Sequence, residues 1–144
     1  MSTASAVAVG AIFVWLGMVL AISFLEAPLK FRAPGVTLPI GLGIGRLVFR
    51  ALNTIEAVLA VVVLSALTQG GAPGSAITAV AVAVLALCAQ LLAVRPRLSR
   101  RSDVVLAGSG AASASRSRAH YAYLALEMVK VVGLIVGGVA LLAG

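Results

Sequence analysis

The sequence predicts an all-α membrane protein, a four-transmembrane-helix antiparallel bundle in one domain, and three observations predict it. Hydrophobic residues make up 62% of the 144 residues and charged residues only 10%, against about a quarter in a soluble domain. That little polar surface cannot cover the chain in water, so lipid is expected to be its solvent. Four apolar stretches, parted by turn-forming or basic segments, offer the ~20 helical residues that a bilayer core needs. The formal net charge of +7 comes from Lys and Arg residues that, Lys130 apart, lie in two segments flanking apolar stretches. That distribution fits anchoring at an anionic leaflet. No basic-aromatic pattern or nucleic-acid module accompanies it, so no nucleic-acid partner is expected.

The first span is expected over residues 5–27, uncharged until Glu26. It has no basic leader and is longer than the ~7–15 apolar residues of a signal peptide, so it reads as a retained span. Trp15 falls near its middle rather than in an interfacial belt and is expected to pack against another helix. Pro28 is expected to end or kink this helix, because a proline ring crowds the preceding turn. Lys30, Phe31 and Arg32 suit a headgroup region. After a turn at Ala33-Pro34-Gly35, Thr37 can cap a new helix with Pro39 in its first turn.

The second helix is expected over residues 38–68, its part before 47 extending beyond the apolar core on the basic side. Gly41, Gly43 and Gly45 allow a pliable start or close packing. The GLGIGR stretch follows no strand, which argues against a phosphate-binding loop. Residues 69–76 form an uncharged turn, and 77–94 form the third span, with the lone Cys88 read as a buried thiol. Residues 99–117 read as a small-residue, mobile connection.

The fourth span requires an unusual choice. Its uncharged part, residues 131–144, rises only ~21 Å as a helix, short of ~30 Å of hydrocarbon. The span is therefore expected over 118–143, carrying Glu127 and Lys130 inside the membrane. Gly133 and Gly137 form a GxxxG pair, here favoured as packing within the chain over a homodimer contact. All Lys and Arg outside this span flank the first and third connections. The positive-inside rule then places both basic connections in the cytoplasm and both termini outside, as in a bacterial plasma membrane.

Charges at depth define the candidate site. Glu56 and Lys130 lie at similar distances from the outer ends of their helices, ~20 Å at 1.5 Å per residue, so they can pair if those helices are neighbours. Arg46, Arg50, Asn53 and Glu56 are spaced by four, three and three, and His120, Tyr123, Glu127 and Lys130 by three, four and three. Each set is expected to share one helix face. Glu26, with Lys30 one turn on, closes the first span near the depth of Arg50. Three carboxylates, Glu26, Glu56 and Glu127, would then balance Arg46, Arg50 and Lys130.

Several functions fit that pattern. An intramembrane ionisable group points to function; the leading expectation is a pocket that binds or passes a small, anionic solute or a proton. Arg46, Arg50 and Lys130 would contact the solute, with Glu56 and Glu127 as counter-charges or proton carriers. Against this stands a salt-bridge network that only fixes helix register, as in a non-catalytic subunit or assembly factor of a larger membrane complex. An enzyme acting on a lipid or quinone near His120 and Tyr123 is the third reading. The Glu-x-x-His spacing of di-iron bundles is missing and three cations compete for the carboxylates, so no metal or other cofactor is expected. Expected partners are membrane lipids, a second copy or a larger complex, and an unidentified small solute.

Some of these residues carry a resemblance. FLEAPLKF (Phe24 to Phe31), GRLVF (Gly45 to Phe49) and Ser117-Arg118-Ala119-His120 resemble the pattern of an uncharacterised four-span membrane family, DUF4149/TMEM205-like. The stretch from Lys30 to Glu56 is also similar to the DoxX-like four-span proteins. Both resemblances imply a four-span fold and supply no catalytic residue. The first family's distant likeness to copper-resistance proteins would call for Met and His ligands, and this chain has three Met and one His.

Overall fold

A computed structural model describes residues 1–94, 96, 100 and 118–144, the side chains of 93, 94 and 118–120 excepted. The described residues are all helix or connection, without a strand. Four helical rods, Thr3–Arg32, Leu38–Gln69, Gly74–Leu92 and Tyr121–Ala143, are long and apolar enough to cross a membrane. That composition suggests an integral membrane protein.

The first rod begins at α1 (Thr3–Val19), where the Ser2 side chain accepts a hydrogen bond from the Ser5 amide at 3.0 Å. It widens into a π-helical segment, Leu20–Glu26, then continues through the single turn α2 (Ala27–Leu29) and a 3-10 turn, Lys30–Arg32. Pro28 therefore does not end the helix. The wider turn lies just ahead of the proline, where the Ala27 amide bonds back to the Ile22 carbonyl. That is the stretch whose carbonyl a proline ring would otherwise crowd.

Gly35, at φ 79°, turns the chain into α3 (Leu38–Gln69), capped by Thr37 with Pro39 in its first turn. Its 32 residues span ~48 Å, more than a bilayer core requires. Gly71, at φ 62°, makes the next turn into α4 (Gly74–Ala89), which ends in a second π-helical segment, Gln90–Val94. The last rod is α5 (Arg118–Ala143). The connection expected over 99–117 lies, Arg100 apart, outside the described residues.

Small residues set the contact between the last two rods. α5 packs chiefly on α4, and a Cβ added at Gly133 would come 2.8 Å from the Ala79 carbonyl oxygen. One at Gly137 would come 3.1 Å from Val80. The GxxxG face is thus used within the chain. α1 packs against both α3 and α5, and Ile12, Val63, Val80 and Leu134 are fully buried where the rods meet. Leucines and valines such as Leu47, Val61, Leu85 and Val139 face outward. Cys88 is exposed rather than buried, because the inward face of α4 is taken by Val80, Ala83 and Leu87.

Candidate functional site

All four rods send polar side chains to a common point, the last rod two of them. On α3 the inward positions are Leu52, Asn53, Glu56, Ala60 and Val63, a stripe at helical spacing that is apolar except at Asn53 and Glu56. Glu56 is fully buried and meets Lys130 of α5, Nζ to Oε2 at 2.6 Å. Lys130 also meets Glu127 Oε1 at 2.6 Å, one turn back on its own helix, and donates to Gln90 Oε1 at 2.8 Å. Gln90 donates in turn to Glu127 Oε1 at 2.6 Å and to the Tyr123 carbonyl at 3.3 Å. From α1, the Trp15 indole N–H donates to Glu56 Oε2 at 2.7 Å.

Glu56, Gln90, Glu127, Lys130 and Trp15 are all 0% exposed. The electrostatics follow from counting. An ammonium has three donors, and here they face three acceptors, so Lys130 is saturated. Two carboxylates share that single cation. Glu56 Oε1 and Glu127 Oε2 remain buried without a partner from the protein. Nearer the basic end, Phe49 meets Tyr123 edge-on with centroids 5.7 Å apart. Lys30 Nζ lies 3.7 Å from Glu26 and over the rings of Phe31 and Phe49, 5.4 and 5.6 Å from their centroids. Glycines make room for that corner: a Cβ at Gly41 would run into the Phe31 ring, and one at Gly45 would come 3.0 Å from Lys30 Nζ.

Of the residues expected at the site, Glu56, Glu127, Lys130, Asn53 and Tyr123 are all buried, and Lys130 joins Glu56 of α3 to Glu127 of α5. The expected ion pairing needs correcting. Glu26 pairs with Lys30, and Glu56 and Glu127 both pair with Lys130, so the two buried acids share one lysine rather than each drawing on its own cation. Arg50 is exposed and Arg46 half-buried. The reason is angular drift. At 100° per residue, Arg50 lies about 120° around the helix from Glu56, too far to share its face. The His120 side chain lies outside the described residues.

Sequence reasoning missed two participants. Gln90 carried a signal, as the sole strongly polar side chain in residues 77–94. Trp15 was expected to pack, but its N–H partner lies 41 residues away, and no local pattern announces such a contact. Replacing Trp15, the chain's one tryptophan, with Phe removes the N–H and keeps most of the ring. Trp15→Phe is expected to lower stability by about 1–2 kcal/mol, read from thermal unfolding in detergent; no change would mean that Glu56 does not depend on this donor.

Among the described residues, no group of three or more His, Cys, Asp or Glu side chains is arranged to hold a metal ion. No family model matches the chain, and neither a curated protein nor a solved structure does.

Proposed function

We propose that this chain is an integral membrane protein whose antiparallel four-helix bundle holds a proton-binding site, supplied from a cytoplasmic, basic side. One observation carries the reading: two fully buried carboxylates share one saturated ammonium. With all three groups ionised the cluster bears one net negative charge, which is costly in a low-dielectric interior. A single proton on Glu56 or Glu127 removes it, and the two carboxylate oxygens without protein partners are where it would sit. An anionic solute is less well served, since it would have to displace a carboxylate from Lys130.

The basic connections give the orientation through the positive-inside rule, with both termini outside. Coupling the proton to movement of a solute would call for a second copy or a larger complex, because four spans rarely enclose a pathway alone. Membership of the four-span family named above belongs to the same proposal, on the residues quoted for it. The competing reading is a structural subunit, which the complete engagement of Lys130 also favours.

Infrared difference spectroscopy on lipid-embedded protein separates the two. A protonated-carboxyl C=O band that titrates with pH, and that is lost or shifted in both Glu56→Gln and Glu127→Gln, is the expected result. Carboxylates that stay ionised over the whole range in which the protein is folded would leave the structural reading in its place.

A further inference from the structure

Between the charged cluster and the basic end lies a layer of buried polar atoms that the protein itself does not partner. Asn53 is 3% exposed, and both its Nδ2 and Oδ1 lack a protein partner; Ser23 is 6% exposed and its Oγ lacks one too. The same holds for Glu56 Oε1 and Glu127 Oε2. Five such atoms in one region call for an occupant, because buried polar groups are almost always hydrogen-bonded.

Register puts Ser23, Asn53 and Glu127 at one level, with Glu56 about one turn further on. Phe49 meets Tyr123 and Glu56 meets Lys130, so α3 and α5 run in parallel with a constant offset that sets Asn53 level with Glu127. On the first rod, Trp15 reaches Glu56 and Lys30 reaches Phe49. Ser23 is midway between Trp15 and Lys30, in the π-helical segment that contacts α3. That places it level with the turn holding Asn53. A widened helical turn at such a place often marks a functional site.

We infer that Ser23, Asn53, Glu127 and Glu56 border a short file of bound water that relays protons between the Glu26–Lys30 corner and the buried carboxylates. A buried water needs two to four polar partners, and the five atoms supply them. The Asn53 amide offers a donor and an acceptor, so it orients one water on each side; the Ser23 hydroxyl can do both itself. In uptake, each water accepts one proton and gives up another, and the last proton bonds to Glu56 or Glu127. The charged and titratable groups facing the file are Glu26 and Lys30 on the first rod, Glu56 on α3, and Tyr123, Glu127 and Lys130 on α5. Gln90, from the third rod, faces the cluster as a neutral amide. Lys30 and Glu26, with side chains 10% and 32% exposed, stand at the accessible end. Asn53 and Ser23 are positioning residues.

The relay rests on the proton-binding reading, and the experiment separates their failures. Protein in lipid nanodiscs is given a pH jump, and the carboxyl C=O band is followed in time for the natural chain, Asn53→Leu and Ser23→Ala. A second readout is the O–H stretch of bound water, identified by its shift in H2(18)O. Both variants are expected to slow protonation at least about tenfold while leaving the equilibrium titration near its place, and Asn53→Leu to abolish the shifted water band. If Asn53→Leu does not fold, Ser23→Ala carries the rate test. Unchanged rates, or no isotope-shifted water in the natural chain, overturn the relay. A water band without any titrating carboxyl overturns the proton-binding reading, and with it the relay's purpose, while leaving the layer hydrated.

Discussion

Lys130→Met is expected to destabilise the protein by about 3–5 kcal/mol, the usual cost of stripping a buried ion pair of one partner. The loss should be measured from unfolding in mixed micelles. Lys130 holds two acids at once, so its removal leaves Glu56 and Glu127 facing each other without a cation. Glu56→Gln is the informative contrast. It removes the excess negative charge, keeps an oxygen for the Trp15 N–H and leaves the Lys130–Glu127 pair intact, so it should cost no more than about 1 kcal/mol. Combining the two substitutions should recover part of the Lys130→Met loss. Equal costs for the two single variants would contradict the picture of two acids on one base.

The second large effect is expected at Gly133. A leucine there would drive its Cβ against the Ala79 carbonyl oxygen and, at 3.3 Å, the Ala83 methyl. Backbone cannot move aside as a flexible side chain does, so α5 must back away from α4. A loss of about 3 kcal/mol is expected for Gly133→Leu, the upper end for overpacking. Because Lys130 and Gln90 are held across that same helix pair, their hydrogen bond should suffer as well. Gly43→Ala is the matching control. Nothing lies within 4 Å of its added Cβ, so it should be neutral or stabilising by up to about 1 kcal/mol, as alanine favours a helix. If the two variants unfold alike, Gly133 is not a packing contact.

How much of this was legible in the sequence differs from residue to residue. The helical rods were plain, because length and apolarity decide them. Pairing of Glu56 with Lys130 was also within reach, since depth along a helix is simple counting at constant rise. Facing was harder. Spacings of four, three and three keep neighbours together but drift over six residues, and Arg50 ended outside for that reason. Gln90 and Trp15 show a further limit: their roles depend on which rods touch, and hydropathy does not encode that. The two π-helical segments had no signature beyond Pro28 near the first and Pro96 beyond the second.

The parallel run of α3 and α5 has a consequence for biogenesis. The carboxylate of Glu56 and its cation are 74 residues apart in sequence, with α4 made between them. A ribosome working from the amino terminus delivers α3 to the proposed membrane before Lys130 has been synthesised. Until α5 follows, Glu56 would have the Trp15 indole N–H but no counter-ion. If the rods insert as proposed, the buried acid of α3 would gain its cation only once α5 has been released.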